Sequence, residues 1–147
     1  MVHIDRLAEY TLEDAANIGR LMPGLSDKLT DDPIDERLLR EIVDSDHHDM
    51  LVARDDSGRI VGVATLSLVL GPTGRKAHLE DFVVGPDMRG KGVSDALWQA
   101  MADWCLERGA ALNFTSNSAR TRAHQFYLEH GATVRETTVF KKDFSKD

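Results

Sequence analysis

The chain has 147 residues and a mass of 16.4 kDa, which suits one domain with one sizeable core. Apolar residues make up 41% and charged residues 29%, near the globular average, and no run approaches the roughly 18 apolar residues that a membrane span needs. The formal net charge of −7 argues against nucleic-acid binding, because an acidic surface repels phosphates. We therefore expect a folded domain without a nucleic-acid or membrane partner.

Cysteine and histidine usage bears on the compartment and on metals. The N-terminus lacks the charged head and apolar run of a secretory signal, and the lone Cys105 allows no internal disulfide. A reducing, cytoplasmic setting is expected. The single cysteine also excludes a multi-cysteine zinc site, and no His-x-x-x-His pair encloses a glutamate, so no metal is expected.

The spacing of apolar and turn residues predicts the element order β-α-α-β-β-β-α-β-α-β. Strands are expected over residues 3–8, 50–54, 60–70, 76–84, 111–116 and 137–143, with a short extra strand near Ala132. Helices are expected from the cap residue Thr11 to Met22, from the cap residue Asp32 through Val43, over 93–108 and over 119–130. Antiparallel strands precede a β-α-β crossover, which predicts an α/β (α+β) fold whose mixed sheet carries helices on both faces. The whole chain, residues 1–147, is expected to form one domain.

The most informative segment joins the fourth strand to the third helix and runs from Val83 to Ser94. Gly90 and Gly92 let backbone amides approach an anion, and the following helix adds unpaired amides and the positive end of its dipole. Arg89 and Lys91 contribute two cations. The segment is predicted to bind phosphate groups; an ordinary strand-to-helix turn with solvated basic residues is the alternative.

Two nucleotide-binding motifs fit this segment incompletely. Gly85 to Lys91 matches the first seven positions of a P-loop, but Gly92 follows where a Ser or Thr would bind magnesium. A dinucleotide fingerprint that starts at Gly90 would need a third glycine where Asp95 stands. Neither motif is therefore favoured.

Three segments resemble the GNAT N-acetyltransferase family, in the family's order. Arg89-Gly-Lys-Gly-Val-Ser94 resembles its Arg/Gln-x-x-Gly-x-Gly/Ala acetyl-CoA signature, and Leu79-Glu-Asp-Phe-Val-Val84 is similar to its central strand. Arg120-Thr-Arg-Ala-His-Gln-Phe-Tyr-Leu-Glu-His-Gly131 is similar to its late helix. The resemblance covers nearly the whole chain and departs from the pattern at Ser94, which replaces Gly or Ala, and at Ala132, which replaces a common Phe.

The resemblance implies an acetyl-CoA-dependent N-acetyltransferase. The backbone of Phe82 to Val84 would pair with the pantetheine arm, and amides of the glycine segment would hold the pyrophosphate. The implied cofactor contacts are Phe82, Val83, Val84, Arg89, Gly90, Lys91, Gly92, Val93, Ser94, Asn117 and Arg120. Cys105 lies at helical spacing from Met101 and is expected in the core, so direct transfer is favoured over an acetyl-cysteine intermediate.

Acetyl transfer to an amine requires that the amine lose a proton and that the leaving thiolate gain one. The resemblance implies that Tyr127 is the general acid; its alternative role is that of a core aromatic. Glu80 is the first candidate for the general base and Asp81 the second, because an apolar strand rarely carries an acid without cause. Both could instead bind the acceptor or be ordinary strand carboxylates. Adjacent strand residues point to opposite faces unless a bulge re-aims one of them.

The acidic residues are concentrated near the N-terminus. Residues 1–46 hold 12 acids and 5 bases, whereas residues 47–147 hold 13 of each. In the family, the segment between the first two helices borders the acceptor site. Here it contains Asp27 and Asp31, which indicates a cationic acceptor such as a polyamine, an aminoglycoside-like amine, an amino-acid amine or a lysine side chain. These acids could also simply solvate a loop.

Two further hypotheses stay open alongside this one. The Glu80-Asp81-Phe-Val-Val string is similar to that of glucosamine-6-phosphate N-acetyltransferases, whose acceptor would need cations such as Arg75 and Lys76 for its phosphate. A GNAT-like domain could also bind acyl-CoA without turnover. A homodimer is an expectation from the family alone.

Overall fold

The computed structural model describes residues 1–145, and the chain divides into two compact units, Met1–Phe114 and Thr115–Asp147. The strands of the first unit are β1 (His3–Arg6), β2 (His48–Arg54), β3 (Ile60–Gly71), β4 (Gly74–Val84) and β5 (Ala111–Asn113). Its α-helices are α1 (Leu12–Leu21), α2 (Glu36–Asp44) and α3 (Val93–Arg108). The second unit contains α4 (Thr121–Glu129). No helix among the described residues has the length and apolar character to span a bilayer.

The five strands form one sheet in the order β1-β2-β3-β4-β5. Neighbouring strands are antiparallel except β4 and β5, which are parallel. The parallel pair follows from the connection through α3, because parallel neighbours need a crossover. The predicted mixed sheet is therefore confirmed, and with it the α+β class.

Helices cover both faces of this sheet, as the sequence predicts. Helices α1 and α2 bury one face in a core made of Leu7, Ala15, Ile18, Leu21, Leu39, Met50, Val52, Ile60, Val63 and Val83. Helix α3 covers the other face. A Cβ atom on Gly62, the neighbour of Val63, would lie 3.0 Å from the Leu97 side chain and 3.3 Å from that of Val93. Since adjacent strand residues face opposite ways, α3 lies across the sheet from α1 and α2.

The two first helices begin at side-chain caps, one of which differs from the prediction. Thr11 caps α1 as predicted, and its Oγ1 accepts a hydrogen bond from the amide of Asp14 at 3.0 Å. The prediction of Asp32 as the cap of α2 is wrong, since Asp35 holds that role and accepts from the amide of Leu38 at 3.0 Å. The reason is tertiary: the amide of Ile34 donates to the Ala15 carbonyl at 3.1 Å, which holds the chain extended against α1.

The strands predicted at residues 137–143 and near Ala132 are wrong. The described chain contains no strand after β5, which itself ends at Asn113 rather than at residue 116. Val139 and Phe140 are 74% and 88% exposed. The segment has the composition of a strand, but a strand forms only where a neighbour accepts its hydrogen bonds.

A partly buried ion pair ties α1 to the sheet. The guanidinium of Arg54, at the end of β2, donates to both carboxylate oxygens of Asp14, at 2.8 and 2.9 Å. These bonds lower the pKa of Asp14 more than burial raises it. One turn further along the helix, Oδ1 of Asn17 accepts from the amide of Ile60 at 3.0 Å. Helix α1 is therefore fixed to both strands of the β2–β3 hairpin.

We expect Asp14→Asn to lower the free energy of unfolding at neutral pH by about 1.5–3 kcal/mol, the range for a hydrogen bond to a charged group. Because the pKa of Asp14 in the fold lies below its ordinary 3.8, the pair stabilises the protein above that pH. The stabilisation disappears as the pH falls through the folded-state pKa. Urea unfolding of both proteins should therefore give free energies that converge in acid. Asp56→Asn, at a side chain 89% exposed, is the control and should change little. A difference between the two free energies of unfolding that does not change with pH would contradict the stabilising role of the ion pair.

Candidate active site

The middle of β4 contains a β-bulge. Val83 lies opposite Val63 and Glu80 opposite Thr65, so a step of two residues on β3 matches three on β4. Asp81 lies at this bulge with φ +54°, the only positive φ of a non-glycine residue in the described chain. The bulge that would re-aim one of the two adjacent carboxylates is therefore present. A backbone held in this region is strained, and such strain is concentrated at functional sites.

The two neighbouring carboxylates differ in their surroundings. Oε1 of Glu80 lies 2.7 Å from Nε2 of His78, and its side chain is 62% exposed. Desolvation raises the pKa of Asp81, and the negative charge of Glu80 raises it further. Asp81 therefore holds a proton more readily than an ordinary aspartate. Sequence analysis missed His78, although its spacing of two from Glu80 puts both residues on one face of a strand.

Strand β5 pairs with β4 along only a short part of β4. The ladder joins Lys76–His78 to Ala111–Asn113, whereas β4 stays paired with β3 as far as Val84. The chain then leaves the sheet through Gly85, whose amide donates to the Val61 carbonyl at 2.8 Å. The ladder between β4 and β5 therefore ends at His78, whereas the ladder between β4 and β3 continues to Val84.

The loop after β4 forms an open cradle at the start of α3. Gly90 and Gly92 have φ angles of +75° and +77°, and a Cβ atom on either would meet no other atom within 4 Å. Gly92 caps the 16-residue helix without a side-chain hydrogen bond, and the helical ladder begins only at Ala96, whose amide donates to Gly92. The first amides of a helix have no partner within it. Together with the exposed Arg89 and Lys91, this arrangement fits a diphosphate.

The segment between α1 and α2 begins against β4. It starts with a 3-10 turn, Met22–Gly24, and a Cβ atom on Gly24 would lie 3.0 Å from Cγ2 of Val83. Asp27 and Asp31 follow in the exposed part, and within residues 1–145 neither forms an ion pair. No contact recorded for the described residues joins these two acids to Glu80 or Asp81.

Cys105 lies in the core, as predicted, on the buried face of α3. Burial raises the pKa of its thiol, and the nearby Arg108 opposes this only in part. A thiol with a raised pKa is a poor nucleophile at neutral pH.

The second unit contains the remaining predicted residues. Tyr127 is only 7% exposed, and burial raises the pKa of its hydroxyl, while the charge and a hydrogen bond of Arg120 oppose the shift. Asn117 accepts from the amide of Ala119 at 2.8 Å, so its side-chain oxygen is engaged within its own loop.

Two polar atoms of this unit were missed by sequence analysis. Oγ of Ser116 and Nε2 of His124 are buried and have no hydrogen-bond partner in the described part of the chain. Such atoms are normally satisfied, so a ligand or water is the expected partner. Only the tertiary structure identifies them, because the local sequence does not show which polar atoms are buried without a partner.

We expect Arg120→Ala to raise the pKa of Tyr127 further, since Arg120 favours the phenolate by charge and hydrogen bond. The chain has two tyrosines, so a Tyr10→Phe background leaves Tyr127 as the single reporter. The ultraviolet absorbance of its phenolate should appear with a midpoint above pH 10, the ordinary pKa of tyrosine. In Arg120→Ala the midpoint should lie at a still higher pH. Arg122→Ala, at an exposed position of α4, is the matched control. An unchanged or lowered midpoint in Arg120→Ala would contradict the interaction.

Solved structures with the same fold include several acetyltransferases. An aminoglycoside acetyltransferase from an uncultured soil metagenomic sample, in complex with trehalose, is 20% identical with a TM-score of 0.80, over 97% of this chain and 95% of that one. A ribosomal-protein-alanine N-acetyltransferase from Brucella melitensis biovar Abortus 2308 is 23% identical with a TM-score of 0.72, over 97% and 100%. AAC(6')-Iy, in complex with the bisubstrate analog CoA-S-monomethyl-acetylneamine, is 22% identical with a TM-score of 0.76, over 97% and 98%.

The TM-scores of these structures establish a shared fold, and the match of the sequence to a family model establishes the family. No match is found among curated protein sequences. Residues 14–132, well over half of the chain, match the model of the Acetyltransferase (GNAT) family. This range includes the bulged strand, the glycine cradle and α4. The chain therefore belongs to the GNAT family and is an N-acetyltransferase.

Proposed function

We propose that this protein transfers the acetyl group of acetyl-CoA directly to a primary amine of a cationic acceptor, either a small metabolite or a peptide lysine. The observation that carries the proposal is the open cradle of Gly90 and Gly92 at the start of α3, next to the end of β4. We also propose one GNAT domain over residues 1–147. Its support is the family match, which runs from residue 14 to residue 132 and so includes sequence from both units.

Acetyl-CoA supplies an activated thioester, and the chain supplies groups that fit its parts. Amides of Gly90, Gly92, Val93 and Ser94 are the proposed pyrophosphate contacts, aided by the helix dipole. The amides of Arg89 and Lys91 donate to the carbonyls of Pro86 and Met88, so these two residues are proposed to contribute their side-chain charges. The backbones of Phe82, Val83 and Val84 are the proposed contacts of the pantetheine arm, supported by the early end of the β4–β5 ladder at His78. In the second unit, Asn117 and Arg120 remain predicted contacts on the family resemblance.

The acid and base roles follow from what the reaction needs. The acceptor ammonium loses one proton to a base, its nitrogen forms the new C–N bond, and the C–S bond breaks. The nitrogen loses a second proton as the amide forms, and this balances the proton that the thiolate takes up. Tyr127 is the proposed general acid on the family resemblance, and its hydroxyl, whose pKa is raised by burial, holds the proton that this role requires at neutral pH. Glu80 and Asp81 are the proposed carboxylates of the base side. The buried Cys105 thiol, with its raised pKa, supports transfer without an acetyl-cysteine intermediate.

Acetyl-CoA and CoA should both raise the midpoint of thermal unfolding, by about 5–10 °C at a hundredfold excess over Kd. Gly92→Ala should reduce this rise, since its Cβ enters the open cradle and its φ of +77° strains an alanine. Gly58→Ala is the control: its φ of +86° in the β2–β3 turn imposes a similar backbone strain away from the cradle. This variant should keep the full rise of the unfolding midpoint with acetyl-CoA. A rise with ATP-magnesium or NAD instead, or no rise with any of these, would overturn the proposal.

Asp27→Asn and Asp31→Asn should each raise KM for polyamines and aminoglycosides by about 1.5- to 5-fold, the range for an exposed ionic contact. The effect should weaken in salt, because these acids are exposed. Asp46→Asn, also exposed but outside the segment between α1 and α2, is the control. For an amino-sugar-phosphate acceptor, the same two substitutions should lower KM, because removing acids favours the binding of a phosphate. The proposed cations for that phosphate are the exposed Arg75 and Lys76 on β4.

A further inference from the structure

The pair formed by His78 and Glu80 is placed where strand pairing changes. Nε2 of His78 lies 2.7 Å from Oε1 of Glu80, and the His78 side chain is 33% exposed. His78 is the last residue of β4 that pairs with β5, opposite Asn113. The bulge at Asp81 follows three residues later. The pair therefore occupies β4 between the point where β5 departs and the bulge.

The pair also lies on a defined face of the sheet. Val63 of β3 packs into the core under α1 and α2, and Thr65 and Ser67 follow on the same face. Their partners across the ladder are Glu80 and His78. The imidazole and the carboxylate thus project from the face that α1 and α2 cover, which is also the face on which Gly24 approaches Val83.

The contact determines what each group can do with a proton. A carboxylate that accepts a hydrogen bond from one imidazole nitrogen fixes the ring and leaves the other nitrogen to take up a proton. Within residues 1–145, the hydrogen bond of the His78 imidazole is the one that joins its Nε2 to Glu80.

We propose that His78 is the base of the reaction, accepting the proton of the acceptor ammonium at Nδ1, and that Glu80 is a positioning residue that orients the ring and stabilises the imidazolium. This inference rests on the proposed acetyl transfer and moves the base role from Glu80 to its partner. One ammonium proton passes to Nδ1, and the freed lone pair forms the C–N bond while the C–S bond breaks. A second proton leaves the nitrogen as the amide forms, which balances the proton that the thiolate takes up. His78 then returns its proton to solvent.

The first test is the pH dependence of kcat at saturating acceptor. His78→Asn should lower kcat by about 10²- to 10⁴-fold and remove the fall in kcat at acid pH, because the titrating base is gone. Glu80→Gln should lower kcat by a smaller factor and keep that fall, because the titrating imidazole is still present. His3→Asn is the matched control: Nε2 of this histidine lies 3.0 Å from a carboxylate oxygen of Asp5, and two strands separate β1 from β4. The reverse pattern, in which kcat loses its fall at acid pH in Glu80→Gln and keeps it in His78→Asn, would overturn the inference.

The second test does not depend on turnover. Nitrogen NMR of the ligand-free protein, with labelled histidine, should show His78 in the tautomer protonated at Nε2, with Nδ1 bare. Its signal is identified by its loss in His78→Asn. Glu80→Ala should abolish this tautomer preference, and a preference that survives would overturn the pairing. If the wild-type protein acetylates an amine but the variants show the reverse pH pattern of kcat, only the role of His78 is overturned. If the wild-type protein acetylates no amine, the proposed function is overturned as well.

Discussion

Strand β4 is held along one edge by β3 over almost its whole length and along the other edge by β5 only as far as His78. This unequal pairing is the constraint on which the site depends. The continuous edge fixes the bulge at Asp81 and the exit at Gly85, so the glycine cradle begins from a rigid strand end. At the interrupted edge, we propose that the pantetheine arm lies beside β4 like an added strand. A sheet that continued regularly on both edges would leave neither feature.

The carboxylates of the α1 ion pair and those of β4 have different basic partners. At Asp14, a carboxylate is matched by the guanidinium of Arg54, and the pair serves to fasten α1 to the sheet. On β4, two carboxylates are adjacent, and the nearest basic group in contact is the His78 imidazole. An arginine would hold a carboxylate permanently ionised, whereas an imidazole can exchange a proton at neutral pH. The second arrangement therefore suits proton transfer and the first suits stability.

Local patterns predicted most of the elements of the fold. The range of α3 was predicted without error, because its apolar spacing is bounded by glycines at both ends, Gly92 and Gly109. The cap of α2 was missed because several acids lie near its start, and the contact between Ile34 and Ala15 selects Asp35. The strand expected over residues 137–143 was wrong, because alternation describes a strand's faces and says nothing about whether a neighbouring strand is present.

The sequence by itself determined the glycine cradle, the family and the candidate carboxylates, since each depends on residues close together in the chain. Tertiary structure alone decided which residues meet across strands. The placement of Asp81 in a bulge and the early departure of β5 both depend on ladder register, whereas the spacing of His78 and Glu80 on one face of β4 is already present in the sequence. Register is set by side chains of separate strands packing between helices on both faces of the sheet, so no short segment of the sequence encodes it.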